Sequence, residues 1–299
     1  MKNGIIIVRK EKGFTSFDVV AKLRGILGQK KIGHTGTLDP DATGVLPVCL
    51  GKATKVCELL TDKDKEYEAV LLLGKKTDTQ DISGTVLEEK EVTVTEQQVR
   101  TAMERFVGEI EQIPPMYSAL KVDGKKLCDL ARAGVTVERK PRKRMIYEIT
   151  INEIALPKVR FTVSCARGTY IRTLCEDIGE SLGCGGCMES LVRTRVADFT
   201  LEESHTLSEI EQMAGEHTVD SVIKSIDSVF LQYPAVTARS EYEKILYNGN
   251  RMAPEYFLDY RETYNRDQLR VYDKGGQFIG IYRMDDAGLF LKPVKIFMG

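Results

Sequence analysis

One fifteen-residue stretch, residues 33–47, carries the side chains of this chain that are best suited to chemistry. It reads Gly-His-Thr-Gly-Thr-Leu-Asp-Pro-Asp-Ala-Thr-Gly-Val-Leu-Pro. Because Gly and Pro break helices and remove donors from strands, we predict a loop. Pro40 disfavours the helical region for the residue before it, so the Asp39 carboxylate is held on a stiff, extended backbone. A simple Asx turn would be much shorter, and we interpret the loop as a functional site centred on Asp39.

Neither of the common phosphate-binding loops fits this stretch. A Walker A loop needs a Gly, four residues and then Gly-Lys-Ser/Thr, whereas the Gly-Lys at 51–52 is followed by Ala53 and has Leu46 in the first Gly position. The dinucleotide fingerprint Gly-x-Gly-x-x-Gly does not match either. We therefore predict no nucleotide cofactor.

Length and composition indicate a globular protein of about two domains. The chain has 299 residues, 42% of them hydrophobic and 29% charged, which is ordinary for packed domains. No apolar run approaches the roughly 18 residues of a membrane span, and the apolar start at 5–8 is too short for a signal peptide. We expect a cytoplasmic protein with no membrane partner.

The cysteines predict neither a disulfide framework nor a metal centre. There are seven, so they cannot all pair within the chain. Cys184 and Cys187 have a suggestive spacing, but a structural zinc site needs a second pair at a similar spacing. We expect these thiols to be small packing residues and predict no metal.

Charge is distributed unevenly although the formal net charge is only −1. Residues 139–144 contain five cations in six positions, further lysines lie at 121–126, and acidic residues concentrate in 202–227. A charge run is most often a solvated face. Several basic clusters near a candidate site, balanced by acid elsewhere, favour a protein that grips phosphates on one side.

Apolar periodicity predicts the elements that position the loop. A strand at 4–8 leads to a helix near 16–27, with Ser16 as N-cap and Phe17 at the start of its apolar stripe. Thr95 and Gln98 form a capping box before another helix. The remaining elements are a helix near 52–61, a strand at 65–73, strands at 145–154 and 159–165, and a helix that ends near 182.

Two of these strands alternate apolar and polar residues, which is typical of an antiparallel sheet with one buried face. The predicted buried positions are Tyr147, Ile149 and Ile151, then Phe161, Val163 and Cys165. Residues 235–299 are punctuated by Gly and predict a small β-rich unit.

Three stretches in order resemble the TruB-type tRNA pseudouridine synthases. The family's loop is Gly-His-x-Gly-x-Leu-Asp-Pro-x-Ala-x-Gly-x-Leu-Pro, which matches 33–47, and the family also has a Lys-x-Tyr and a Gly-Thr-Tyr-Ile-Arg run, which match 65–67 and 168–172. The resemblance covers about residues 4–200. Two positions depart from the family pattern: Glu11 stands where a Pro is common, and Cys128 where an aromatic is common.

The resemblance implies a role for six side chains in one pocket. Asp39 is the nucleophile, and Arg172 pairs with it. An opposite charge within about 4–6 Å favours the ionised form of a carboxylate. Tyr67 stacks on the target uracil, and whether its hydroxyl also handles a proton stays open. The remaining three contact the substrate: His34 helps to displace the target base, and Tyr170 and Leu191 line the base pocket.

The implied fold is α+β, with a mixed, mainly antiparallel sheet flanked by helices and loops. The catalytic domain would span 1–232, with an RNA-gripping insertion at about 111–144, and a PUA-like RNA-binding domain would span 233–299. The implied reaction converts uridine 55 in the T loop of tRNA to pseudouridine, on a base flipped out of its stack. The expected partner is the T-arm stem-loop, bound by a monomer without cofactor.

Two other classes of function compete with this interpretation. A non-catalytic tRNA-binding protein or RNA chaperone could use the same basic clusters, but it would not need a carboxylate in its pocket, because a carboxylate repels phosphate. A carboxylate-dependent hydrolase would need a second acid to activate water, and none is convincingly placed. The isomerase is the function that we predict.

Overall fold

The computed structural model describes residues 1–122, 124–264 and 267–298. In these ranges the strands are β1 Gly4–Lys10, β2 Ile32–His34, β3 Thr43–Leu50, β4 Lys65–Leu73, β5 Lys75–Thr77, β6 Val86–Glu89, β7 Gly108–Gln112, β8 Lys121–Val122, β9 Lys125–Lys126, β10 Arg142–Ala155, β11 Lys158–Cys165, β12 Gly186–Val196, β13 Phe199–Thr200, β14 Ile223–Lys224, β15 Ala235–Thr237, β16 Gln268–Tyr272, β17 Phe278–Met284 and β18 Leu291–Ile296. The α-helices are α1 Ser16–Ile26, α2 Cys57–Thr61, α3 Glu96–Glu104, α4 Leu127–Arg132, α5 Ile171–Ser181, α6 Leu207–Gly215 and α7 Glu243–Tyr247.

A large sheet forms the centre of the molecule. Within the described ranges it has ten strands, in the order β14-β1-β3-β12-β4-β11-β10-β7, with β2 beside β3 and β13 beside β12. The β3–β12 pair is parallel, and the other pairs are antiparallel. The predicted mixed, mainly antiparallel sheet in an α+β fold is therefore confirmed.

The centre of this sheet packs against α5 and buries one face of β4 and β11. Phe161 and Val163 are fully buried there, as the alternation predicts. Tyr147 is 49% exposed instead, which corrects its predicted burial. A β-bulge between Ile146 and Glu148 shifts the register of β10 against β11, so Ile146 turns inward in place of Tyr147.

The N-cap of helix α1 is Thr15, one residue before the predicted cap, Ser16. The side chain of Thr15 accepts from the Asp18 backbone N–H, and Asp18 accepts from the Thr15 N–H, which together make a capping box. Ser16, the predicted cap, is buried and accepts from another segment. Phe17 is 62% exposed, and the apolar stripe is formed by Val19, Val20 and Leu23. The predicted helix near 52–61 is a 3₁₀ segment, Gly51–Val56, followed by the short α2.

The C-terminal part forms a second sheet with the order β15-β16-β17-β18. It packs on the first sheet through a shared apolar cluster, in which Ile281 and Phe297 join Ile5, Val45 and Val56. The division of the chain into domains at 232/233 and the PUA-like character of the second unit stay predictions.

Candidate active site

The loop that carries Asp39 spans the gap between the paired strands β2 and β3. It is tied down at both ends: the Thr35 backbone N–H and hydroxyl both donate to the Pro47 carbonyl, at 3.2 and 3.1 Å. In its middle the Leu38 N–H donates to the Ser16 hydroxyl, at 2.9 Å. Leu38 itself is buried in the core. These contacts fix the backbone on the N-terminal side of Asp39.

Lys10 fixes the other side of the loop. Its side chain is fully buried, and its ammonium donates to the carbonyls of Pro40 at 3.0 Å and Ala42 at 2.6 Å. Burial lowers the pKa of Lys10 to about 8, while the nearby Asp39 and Asp41 carboxylates oppose that shift. Sequence reasoning did not single out this lysine, because its partners lie 30 and 32 residues away.

Arg172 forms a two-pronged ion pair with Asp39. Its Nε lies 3.0 Å from Asp39 Oδ2, and its Nη2 donates to Oδ1 at 3.2 Å. The guanidinium also donates to the backbone carbonyls of Thr79 at 3.1 Å and Tyr117 at 2.8 Å, and Asp81 Oδ2 lies 3.8 Å away. Since the Arg172 side chain is only 6% exposed, it is a rigid clamp that aims the carboxylate.

Opposing effects set the pKa of Asp39. Burial, the largest effect, raises its pKa above 3.8, and the neighbouring Asp81 raises it further. The charges of Arg172 and Lys10 lower it, in the direction predicted for Arg172. The balance is a carboxyl group with a raised pKa, and the two cations limit that rise. Asp81 is a further site residue that sequence reasoning did not assign, although it lies in the polar turn at 74–84.

Asp39 opens into a cavity of about 860 Å³. Of the six predicted site residues, five line this cavity: Asp39, Tyr67, Tyr170, Arg172 and Leu191. Tyr170 is the N-cap of α5, and its backbone exchanges two hydrogen bonds with the buried Gln112 side chain, at 3.0 and 3.1 Å. Charged side chains share the lining, among them Lys65, Asp81, Glu189 and Arg193. The cavity thus places aromatic and aliphatic side chains beside the Asp39 carboxylate, which suits a flat base held beside a nucleophile.

His34 lies apart from that group. It ends β2, is half-buried and is not among the described residues that line the cavity. Its Nδ1 accepts from the Gly36 N–H at 3.3 Å, and burial lowers its pKa. Its role in displacing the base stays a prediction.

Tyr67 lies on β4, opposite Arg193 of β12 and Val163 of β11. Its hydroxyl accepts a hydrogen bond from Arg193, and burial raises the pKa of the phenol. Arg193 also lines the cavity. The sequence places Arg193 in a strand that also carries Thr194 and Arg195, so nothing in the local pattern distinguishes it.

Among the described residues of the 111–144 segment, one cation, Arg132, reaches the cavity, and the other cations of this segment lie elsewhere on its surface. Arg132 and Cys128 line the cavity. Arg144 donates to the Gly168 carbonyl at 2.8 Å, beside the turn that leads to Tyr170, and Lys143 pairs with Glu109. Lys140 and Arg142 are exposed.

The thiols and the acidic groups form no metal site in the part of the chain that is described: no three His, Cys, Asp or Glu side chains there come together to hold an ion. All seven cysteines are free, and Cys184 and Cys187 are buried. Among the helices of the described ranges, none is both long and apolar enough to cross a membrane.

Two family models match the chain. Residues 24–171 match the N-terminal domain of the TruB family of pseudouridylate synthases. Residues 172–231 match the C-terminal domain of tRNA pseudouridylate synthase B. The two matches meet at the start of α5, so the first contains Asp39, Tyr67 and Tyr170, and the second contains Arg172 and Leu191.

Curated relatives extend the similarity over nearly the whole chain. The tRNA pseudouridine synthase B of Lachnoclostridium phytofermentans is 54% identical over 99% of this chain and 100% of the relative. That of Bacillus pumilus is 41% identical over 99% and 98%. Among solved structures, a chain of a Cbf5-Nop10-Gar1 complex is 28% identical with a TM-score of 0.72, covering 99% of this chain and 85% of the other.

Proposed function

The chain belongs to the TruB family of pseudouridylate synthases, and from this premise we propose that it converts the uridine at position 55, in the T loop of tRNA, to pseudouridine. Asp39 is the nucleophile, and the other residues of the cavity hold and turn the base. The T-arm stem-loop is the element that is bound, and the enzyme acts as a monomer in the cytoplasm.

One observation carries the catalytic part of the proposal: the Asp39 carboxylate is held by both prongs of Arg172 in a cavity that Tyr67, Tyr170 and Leu191 also line. A nucleophilic carboxylate must be ionised and aimed. Arg172 aims the carboxylate and favours its ionised form against the effect of burial, and Ser16 and Lys10 hold the loop backbone by hydrogen bonds.

The reaction requires only what this cavity offers. The uracil must leave C1′ of its ribose, rotate and rejoin through C5, so the carbon–nitrogen bond is replaced by a carbon–carbon bond. The C5 proton is lost and N1 gains one, which leaves the mass unchanged. A flat base between Tyr67, Tyr170 and Leu191 can rotate in its own plane while its faces stay covered. A base can enter only after it has left its stack, which costs a few kcal/mol.

The experiment that tests the proposal measures pseudouridine in a tRNA transcript. After incubation with the purified chain, carbodiimide labelling is expected to mark position 55, with no change in mass before labelling. A transcript with cytidine at position 55 is the matched control and should stay unlabelled. Labelling at another position of the tRNA would contradict the assigned target, and absence of labelling would contradict the reaction.

A non-catalytic tRNA-binding protein or RNA chaperone is the alternative, and the relatives' names do not favour it. The site also speaks against it, because a half-buried carboxylate beside the binding cavity weakens contact with phosphates. Only the isomerase gives Asp39 and its clamp a purpose.

We expect Tyr67→Phe and Tyr67→Leu to separate two roles of the tyrosine. If the ring only stacks on the base, the Phe variant keeps the wild-type single-turnover rate. The Leu variant then loses about 1–3 kcal/mol of transition-state stabilisation, the scale of base stacking. If the hydroxyl takes part in proton transfer, the Phe variant is already severely slow. Wild-type rates in both variants would contradict either role. Because each variant leaves a buried Arg193 donor unpaired, a thermal unfolding curve must accompany the rates.

Replacing the exposed cations Lys140 and Arg142 with Ala is expected to weaken tRNA binding without slowing the bound complex. Loss of two phosphate contacts reduces the slope of log affinity against log salt by about 1–2. The control replaces Lys90 and Arg100, which are exposed and lie outside the 111–144 segment. An equal change of salt slope in both variants would show that the 111–144 segment has no special part in binding. Arg144 is left intact because its bond to Gly168 supports the pocket.

A further inference from the structure

Arg193 is a buried cation, and no carboxylate of the described residues forms an ion pair with it. It is 1% exposed, and the group that supports its charged form is the Tyr67 hydroxyl, against the effect of burial, which lowers its pKa. An arginine nevertheless stays protonated. Burying a charge costs free energy unless its donors are hydrogen-bonded. The acceptors of the Arg193 guanidinium therefore indicate its role.

Arg193 holds three groups, and all of them belong to the candidate active site. Its Nε donates to the Val45 carbonyl at 2.7 Å, and its Nη2 donates to the Gly36 carbonyl at 3.5 Å. These two carbonyls lie on either side of Asp39 in the chain. The third is Tyr67, which lies directly opposite Arg193 in the β4–β12 pair, so that its hydroxyl faces the guanidinium as an acceptor. One guanidinium therefore ties the loop of the nucleophile to the tyrosine of the base pocket.

The close approach of β3 to β12 makes this arrangement possible. Gly44 is paired with Arg193 and has a φ of +107°, and a Cβ at this position would collide with the Arg193 backbone. Glycine thus lets the two parallel strands meet where the guanidinium has to reach beneath the loop. The arginine is held by its backbone as well as by its acceptors.

We propose that Arg193 is a positioning residue, which fixes the Tyr67 hydroxyl relative to the Asp39 loop by binding both through one buried guanidinium. The proposal rests on the proposed function, since it deepens the role of Tyr67 at the same site. A guanidinium has donors only, so the Tyr67 oxygen must accept, and its own proton points away from Arg193. That leaves the phenolic proton available to a group bound in the cavity.

The same contact favours the phenolate form of Tyr67. A cation at hydrogen-bond distance lowers the pKa of a phenol, here against the rise caused by burial. The other charged or titratable groups that act on Tyr67 are Cys165 of β11 and Asp39 of the loop, and both raise its pKa. Arg193 is thus the cation that counters them.

The first test measures the Tyr67 phenol directly, without any RNA. 3-Fluorotyrosine is incorporated at position 67, because ring fluorination lowers the pKa of a phenol, and its ¹⁹F resonance is followed against pH. In Arg193→Gln we expect the phenol pKa to rise by about 1–3 relative to the protein with Arg193. Arg195→Gln is the matched control on the same strand, and its partners are Glu66, Ser164 and Ala197. It should leave the titration where it is.

An unchanged titration in a folded Arg193→Gln protein would overturn the proposal. If that variant does not fold, Arg193→Lys decides, because it keeps the charge and loses the planar fork. Its ¹⁹F resonance at neutral pH is then expected to shift as the hydrogen bond is lost, and an unshifted resonance overturns the proposal. Both ¹⁹F measurements are made without RNA and do not depend on turnover. A failure of the proposed function would therefore leave their outcome unchanged.

The second test asks whether Arg193 acts through the Tyr67 hydroxyl. Single-turnover rates on tRNA are compared for Arg193→Lys in the wild-type and in the Tyr67→Phe background. We expect a rate loss of about tenfold or more in the wild-type background and a loss several times smaller in the Tyr67→Phe background. Equal losses in the two backgrounds would mean that Arg193 does not act through the hydroxyl, which contradicts the proposal.

Discussion

Replacing Asp39 with Asn is expected to abolish pseudouridine formation and to leave tRNA affinity largely intact. The amide keeps the size of the side chain but cannot attack C1′. Asp81, the other carboxylate beside Arg172, lies 3.8 Å from the guanidinium and is not part of the two-pronged pair. The expected loss of the single-turnover rate is at least about 10⁴-fold, as for other essential nucleophiles. Filter binding measures affinity, and carbodiimide labelling measures the product.

The fold should survive this substitution. Arg172 keeps the carbonyls of Thr79 and Tyr117 and the carboxylate of Asp81 as partners, so we expect Tm to change by no more than about 4 °C. Asp41→Asn is the control in the same loop, since Asp41 is exposed and pairs only loosely with Lys12 at 3.9 Å. It is expected to turn over at nearly the wild-type rate. Turnover by a folded Asp39→Asn protein would remove Asp39 from the mechanism.

Replacing Arg172 with Met should slow catalysis by about 10²-fold or more. The change removes the cation that lowers the pKa of Asp39 while burial and Asp81 continue to raise it. Since the carboxylate must be ionised to attack, activity falls as pH drops through the pKa of Asp39. A further rise of this pKa moves the acid limb of the rate profile to higher pH. Rates measured between about pH 5 and 8 test the shift.

Two variants make the interpretation of the Arg172 result specific. Arg172→Lys keeps a positive charge but loses the two-pronged geometry, so we expect it to restore the position of the acid limb better than it restores the maximum rate. Arg160→Met removes an arginine that is half-exposed and pairs with Glu68 and Glu153, and it should change neither. An acid limb that is identical in Arg172→Met and the wild type would mean that Arg172 does not tune Asp39.

The sequence predicts the elements of this fold better than it predicts their faces. The strand at 65–73 and the Thr95 capping box follow from local patterns and lie at the predicted positions. Which side chains of β10 face inward does not follow from a local pattern, because the bulge at Ile146 depends on pairing with β11. The cap of α1 moves to Thr15 because Ser16 is used by the Asp39 loop, 22 residues away.

The candidate site shows the same limit. A short motif containing Asp39 and another containing Arg172 are visible in the chain, and the resemblance links them. The two buried cations that hold the loop, Lys10 and Arg193, cannot be recognised in the sequence, because their acceptors are backbone carbonyls. Distances of 30 residues for Lys10 and 148 for Arg193 separate these donors from their acceptors. Only the folded chain reveals that loop carbonyls need cations.

The order of strands in the large sheet has a consequence for synthesis on the ribosome. Strand β1 pairs with β14 near residue 224, β3 pairs with β12 near residue 192, and β4 lies between β11 and β12. Strands β1, β2 and β3 can pair with one another early, but β14 and β12, which pair with β1 and β3 on their other sides, are made much later. Lys10 and Ser16 can therefore hold the Asp39 loop early in synthesis. The bonds that Arg172 and Arg193 make to this loop can form only after α5 and β12 have left the ribosome.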